Sequence, residues 1–326
     1  MKAILVNKPG GADQLRIGEY KKPVCGEEEI LVKVKATALN RADILQREGK
    51  YPPPINASPI LGLEMSGVAE EVGSKVFRWK KGDKVFGLLP GGGYAEYAVI
   101  NEKMAIEIPE SLSFEEAAAI PEIFFTAFQS LVWIGELKAG EFVLIHAGAS
   151  GVGTAAIQIA REIGAKIIVT ASAEKHQICK ELGADLVIDY KTQNFKDEVL
   201  KFTNNYGVDV IIDFIGASYF KKNIESLTRD GRLIILAMLS GGKVDNFDVN
   251  HILMNRLKIV GSTLRSRSLD YQIKLTKNFK DFAYEKIASG KIKPVIDKIY
   301  NWKDVAEAHQ RMEENKNSGK IVLKVD

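Results

Sequence analysis

Three stretches of this chain carry residue types that could do chemistry. Residues 146–153, HAGASGVG, place glycines and a serine between the apolar run FVLI and the helical run TAAIQIAREIGA. A glycine-rich turn between a buried strand and a helix offers backbone amides and the positive end of a helix dipole to a phosphate. Gly148 is expected to permit the sharp turn and Gly153 the close packing of helix on strand, with the amides of Ser150, Gly151 and Val152 facing a pyrophosphate. Ser150 stands where the second glycine of a G-x-G-x-x-G fingerprint falls, and Gly151 restores the close approach one residue later. Tyr51, in GKYPPP, sits on a proline-stiffened loop. From there a phenol could give a proton or hydrogen bond to a developing oxyanion. Asn40 ends the apolar strand ILVKVKATALN, where an amide can reach into a cleft.

The end of the second strand decides which dinucleotide the loop expects. NAD sites place an Asp or Glu there for the ribose 2′-hydroxyl. Here the run reads KIIVTASAEK, with Ala171 and Ser172 at its tip, Lys175 three residues on, and Tyr190 closing the third run in VIDY. A hydroxyl, an ammonium and a phenol suit a 2′-phosphate, a dianion that needs donors. NADPH is therefore the expected cofactor. Glu174 is the contrary sign and is read as pointing to solvent. Gly216 closes the fourth run, VDVIIDFIG; Met238 follows the fifth in MLSGG; Leu264 follows the sixth in TLRSRS. All three fall at strand carboxyl ends, the edge where such sheets hold ligands.

The positioning elements follow from periodicity. The first 120 residues are short apolar or alternating runs (AILV, ILVKVKA, GVAEEVG, DKVFGL, YAEYAVI) divided by Gly, Pro and charged turns, which predicts a partly closed β barrel or a sandwich. Ser113 followed by Glu116 is a capping box, opening a helical stretch to Pro121 and a second one after it. From Gly140 to about Leu264, six Val/Ile/Leu runs alternate with amphipathic helices, the pattern of a parallel sheet covered on both faces. The fold class expected is α/β, a doubly wound parallel sheet beside a β-rich barrel. The tail carries two helices and a last strand, KIVLKV, and is assigned back to the barrel. The expected domains are 1–122 with 267–326, and 123–266.

Composition limits the alternatives. With 46% hydrophobic and 27% charged residues and a net charge of +3, the chain reads as globular, with no basic groove for nucleic acid. No apolar run approaches a membrane span, and the amino terminus breaks at Pro9-Gly10-Gly11, so neither anchor nor signal is expected. Two distant cysteines, Cys25 and Cys179, fit a reducing cytoplasm and read as inert packing residues. Of the four histidines, His146 reads as structural and the others fall on helical segments.

Over essentially its full length the chain resembles the medium-chain dehydrogenase/reductase superfamily, with its Rossmann cofactor domain and GroES-like barrel. The zinc alcohol dehydrogenases of that superfamily carry a catalytic cysteine in C-x-x-D and a histidine in G-H-E. Here the same elements read NRAD and GLE, with Asn40 and Leu63 in those positions and Asp43 and Glu64 retained as companions. The four-cysteine structural lobe is missing too. No metal is expected, since zinc sites need N and S ligands. ALNRADILQREGKYPPP, ILGLEMSG, HAGASGVGTAAIQIA, LRSRS and NKNSGKIVL are similar to the zinc-free quinone oxidoreductases of the zeta-crystallin type. The resemblance implies that Asn40 bonds the nicotinamide-ribose region, that Thr126 in FFTAF reaches the cofactor, and that Asn317 touches it. It implies a small quinone as acceptor in the cleft between domains and a homodimer pairing the sixth strand, LKIVGSTL, with its twin. No flavin is expected, since no flavin motif stands beside the single nucleotide loop. Two other readings stay open: reduction of enoyl thioesters or other activated alkenes, and NADPH binding without catalysis.

Overall fold

The structure, a computed structural model, describes residues 1–55 and 57–325. It divides into two units, Met1–Phe125 with Leu264–Asp326, and Thr126–Thr263.

The chain begins with the antiparallel pair β1 (Lys2–Val6) and β2 (Leu15–Glu19), then lays down β3 (Glu29–Ala38). A helix absent from the sequence reading, α1 (Arg41–Arg47), follows. It buries Asp43, Ile44 and Arg47, so two of its three buried positions are charged and no apolar periodicity announces it. β4 (Glu64–Val72), β5 (Lys84–Leu88), β6 (Tyr97–Asn101) and β7 (Ala105–Glu107) come next. Ser113 caps α2 (Phe114–Ala118) in the expected box: Glu116 N–H donates to Ser113 Oγ at 3.1 Å, and Ser113 N–H to Glu116 Oε2 at 2.9 Å. α3 (Pro121–Phe128) then runs directly into a wide π-helical stretch, Gln129–Ile134.

The second unit is built from six parallel strands: β8 (Phe142–Ile145), β9 (Lys166–Ala171), β10 (Leu186–Asp189), β11 (Val208–Asp213), β12 (Leu227–Ile235) and β13 (Lys258–Gly261). Their order is β10-β9-β8-β11-β12-β13. α4 (Gly151–Ile163), α5 (His176–Leu182), α6 (Phe195–Phe202), α7 (Ala217–Ser226) and α8 (Asn250–Asn255) connect them. The near-continuous apolar strands β8 to β11 are buried on both faces, whereas β13, at the edge, is partly exposed. One core gathers Leu144, Ile168, Ile188, Ile211, Ile224 and Leu233.

The tail returns to the first unit with α9 (Leu269–Ala288), β14 (Ile296–Asn301), α10 (Val305–Glu313) and β15 (Lys320–Lys324). β14 was not expected; it is a half-exposed edge strand with lysine and aspartate inside it. The seven-stranded sheet of this unit runs β14-β15-β3-β4-β5-β7, with β6 also on β3. Ala36, Ala38, Ala118, Ala119 and Val322 pack where α2 covers it. Among the described residues no helix is long and apolar enough to cross a membrane. Both cysteines are free, and burial pushes their thiols up, that of Cys179 to about 11.

Candidate functional site

In the Thr126–Thr263 unit the strand order reverses between β8 and β11, the switch point at which doubly wound sheets bind ligands. The loops after these two strands carry the glycines. Ala147 takes φ +50°, so the turn out of β8 is made by a strained alanine and not by Gly148 as expected. Gly148 is required for space, because a Cβ there would lie 2.8 Å from Val169 Cβ. At Gly153 a Cβ would come within 2.3 Å of the Ala147 carbonyl oxygen, so the helix start presses on the loop itself. Ser150 caps α4, its Oγ accepting from Gly153 N–H at 3.1 Å, while its carbonyl takes Thr154 N–H. The Ser150 N–H donates to the Ala147 carbonyl at 2.9 Å and is not free for a pyrophosphate as expected, which leaves the partly exposed Gly151 and Val152 amides of the first turn. Gly216 has φ +87°, and buried Asp213 braces its loop by accepting from the Ile215 and Gly216 amides. A Cβ on Gly216 would lie 3.0 Å from the backbone of Met238, itself 61% exposed.

At the end of β9, Ser172 is buried, Lys175 half-buried, and Tyr190 exposed after β10. Glu174 is exposed, as expected, but not idle. Its carboxylate accepts from the Ser172 hydroxyl, which holds its pKa below the ordinary carboxylate value, and lies 3.6 Å from Lys191. Lys191 was not singled out from sequence. Thr126 lies half-buried on α3, its carbonyl accepting from Ser130 Oγ at 2.7 Å. His146 is buried between Thr170 Oγ1 and Asn223 Oδ1, and burial lowers its pKa to about 4, so it stays neutral.

In the other unit, Asn40 sits at the centre of a buried polar cluster. Its Nδ2 donates to Glu64 Oε1 at 2.8 Å, and its Oδ1 accepts from Lys320 Nζ at 2.8 Å. Lys320, 2% exposed, also donates to Glu64 Oε1 at 2.7 Å and to the Leu39 carbonyl at 2.6 Å. Glu64 Oε2 takes Glu122 N–H at 2.8 Å. Asp43 accepts from Asn40 N–H and Gly62 N–H, and burial raises its pKa to about 6. Burial and the Glu64 charge together push Glu122 up to about 8. Behind this layer His309 joins Tyr94 OH to the fully buried Arg47, which also pairs with Glu313. Burial and Arg47 lower His309 to about 3.

Tyr51 is half-buried, its hydroxyl pKa raised by burial and then by Glu122, with the Arg265 guanidinium 5.5 Å from its ring. Leu264 is buried and its carbonyl accepts from Gln272. Asn317 is turned toward its own chain, donating to Gly319 O at 2.9 Å. Lys320, Arg265 and Glu122 were missed as site residues. Lys320 had a signal, a lysine opening the apolar strand KIVLKV directly after a glycine.

Two family descriptions match: an alcohol dehydrogenase GroES-like domain over residues 26–110, and a zinc-binding dehydrogenase over residues 151–280. The human quinone oxidoreductase is 33% identical, with 99% of this chain and 97% of that one aligned. The zebrafish (Danio rerio) synaptic vesicle membrane protein VAT-1 homolog is 34% identical over 99% of this chain and 69% of its own length. Among solved structures, an NAD-dependent alcohol dehydrogenase superposes with TM-score 0.89 at 34% identity, covering both chains fully. The CurK enoyl reductase gives 0.88 at 27%, over 100% of this chain and 99% of that one. The chain belongs to the medium-chain dehydrogenase/reductase superfamily of oxidoreductases. Its full-length similarity to quinone oxidoreductases puts it with the quinone oxidoreductase type of that superfamily.

Proposed function

We propose that the protein is a zinc-free, NADPH-dependent reductase of small quinones. The observation that carries the reading is Lys320. Its ammonium sits between Asn40 Oδ1 and Glu64 Oε1, beside the two positions where zinc relatives hold cysteine and histidine. An amide, an ammonium and the buried Leu63 are not a donor set for zinc. The residues do not fit a catalytic zinc, and no step runs through one. A quinone suits such a site, because its conjugated carbonyls accept a hydride without a Lewis acid.

The glycine loop fits a dinucleotide, since the first turn of α4 keeps the Gly151 and Val152 amides for a pyrophosphate. At the tip of β9, Lys175 and Lys191 lie by the Glu174 carboxylate, and with Ser172 and Tyr190 they are proposed to take a 2′-phosphate. A mycobacterial relative of 30% identity was solved with NADPH, at TM-score 0.87. Bound NADPH would supply the hydride from its nicotinamide ring. This chain's own residues then bind and orient. Thr126, Gly216, Met238, Leu264 and Asn317 are proposed as further cofactor contacts. Asn40, locked by Lys320 and Glu64, presents a rigid polar edge to the nicotinamide ribose. The Tyr51 hydroxyl donates a hydrogen bond to the reduced oxygen. β13 is the open edge of its sheet and is proposed to pair with a second copy.

Purified protein is assayed with NADPH or NADH against 1,2-naphthoquinone, 1,4-benzoquinone and crotonyl-CoA. Quinone turnover with NADPH is expected, and Lys175→Ala should raise KM for NADPH about 10- to 100-fold with little change for NADH. Equal losses with both cofactors would remove the 2′-phosphate assignment. The similarity to CurK enoyl reductase favours a second reading, enoyl-thioester reduction. Turnover of crotonyl-CoA alone would establish it.

A further inference from the structure

Arg265 is 5% exposed, yet both terminal guanidinium nitrogens lack a hydrogen-bond partner among the described residues. Only its Nε is satisfied, by the Pro90 carbonyl at 2.8 Å. The Tyr51 ring lies 5.5 Å from the guanidinium carbon; a ring contact engages the face of a guanidinium and leaves its in-plane N–H groups unmet. Charged donors left buried and unpaired cost more than neutral ones, so such a group calls for an outside acceptor. Glycine at 91 keeps side chains away, because a Cβ there would lie 3.3 Å from Nη2.

Arg265 lines a cavity of about 940 Å³ contained wholly within the unit formed by Met1–Phe125 and Leu264–Asp326. Lys21, Lys22, Arg265 and Arg267 face a single acid there, Glu29. Glu29 already accepts from Gly26 N–H at 3.0 Å. The remaining walls are mostly prolines and aliphatic or aromatic side chains. A concavity with charge of one sign and low-dielectric walls concentrates ligands of the opposite sign. The acids near Arg265 offset its charge only in part. Glu122, titrating at about 8, is largely protonated at neutral pH; Asp43 offsets part of the charge but gives its oxygens to the Asn40 and Gly62 amides and makes no hydrogen bond to Arg265.

We propose that this cavity seats an acidic oxygen group, a carboxylate or sulfonate on a flat apolar body, with Arg265 as its anchor. The anion site stands on its own geometry, while its meaning as an acceptor site rests on the quinone-reductase reading. Acceptors carrying such a group are then preferred over neutral ones of the same size.

The test uses naphthalene-2-sulfonate and its neutral counterpart naphthalene-2-sulfonamide as probes, with binding measured by calorimetry on the full chain. Wild type is expected to favour the sulfonate about 10- to 100-fold, with the preference falling as salt rises. Arg265→Met should erase the preference, and Arg265→Lys should keep part of it. The thermal midpoint of Arg265→Met is expected at or above that of wild type, because an uncompensated buried charge has been removed. If that variant does not fold, Arg265→Lys and the wild-type probe pair still decide the matter. Equal wild-type affinity for the two probes overturns the proposal, and so does full sulfonate affinity in a folded Arg265→Met. Sulfonate binding without any turnover of 1,2-naphthoquinone supports the anion site and refutes the quinone reading instead. Competitive inhibition of naphthoquinone reduction by the sulfonate supports both.

Discussion

The buried ammonium of Lys320 makes the strongest quantitative prediction. Its three N–H groups are all used, by Leu39 O, Asn40 Oδ1 and Glu64 Oε1, at 2.6, 2.8 and 2.7 Å. Lys320→Met keeps much of the length but orphans two neutral acceptors and strips Glu64 of its cation at a site with no solvent. Breaking a buried pair from one side costs about 3–5 kcal/mol. At about 2–4 °C per kcal/mol for a unit of this size, the thermal midpoint should fall roughly 6–20 °C. Pairing it with Glu64→Gln removes the stranded charge, although the single amide oxygen can then serve only Asn40 Nδ2 or Glu122 N–H, which donate to opposite oxygens of Glu64. The double variant should still be about 2 kcal/mol stabler than Lys320→Met alone. Urea unfolding followed by tryptophan fluorescence reads all three proteins. A loss under about 1 kcal/mol in the single variant would refute the reasoning, since the pair would then behave as an exposed one. Losses that simply add in the double variant would refute it equally.

Glu122 predicts a pH effect with a definite sign. Its carboxyl moves from 4.5 to about 8 on folding, so its contribution to stability is complete below pH 4.5 and is lost as pH rises toward 8. Glu122→Gln, which cannot ionise, should therefore gain on wild type between pH 5 and 8 in denaturation curves; parallel curves would contradict the assignment. Ser150→Ala should cost about 1 kcal/mol in thermal unfolding through the lost cap of α4. Gly153→Ala should cost about 1–3 kcal/mol and weaken cofactor binding in a titration, because the new methyl meets the Ala147 carbonyl. Tyr51→Phe should lower kcat about 10- to 100-fold at unchanged cofactor affinity, and an unchanged rate would remove Tyr51 from the chemistry.

The parallel sheet was legible because its strands are uninterrupted apolar runs, and a run such as VDVIIDFIG has few other ways to fold. The Ser113–Glu116 cap was equally plain, since its two residues act across one turn. α1 was not, because what it buries is Asp43 and Arg47, whose partners come from Gly62 and from His309 and Glu313 far along the chain. The same reason hid Lys320 and Arg265. A buried charge looks like a surface charge until the fold supplies its surroundings. In the glycine loop after β8 two expectations are corrected: the positive φ belongs to Ala147, with Gly148 needed for the space beside Val169, and the Ser150 N–H is spent on the Ala147 carbonyl.

The return of β15 onto β3 has a consequence for synthesis on the ribosome. Asn40 and Glu64 leave the exit tunnel about 250 residues before Lys320, which at about 5–20 residues per second is a wait of roughly 10–50 s. Until then β3 lacks its β15 neighbour and Glu64 has no cation. The six-stranded unit, continuous in sequence from Thr126 to Thr263, can complete itself during that interval. The polar centre of the barrel is thus the last part of the molecule to close, and truncation of the final strand should leave a chain whose nucleotide half folds while its amino-terminal half does not.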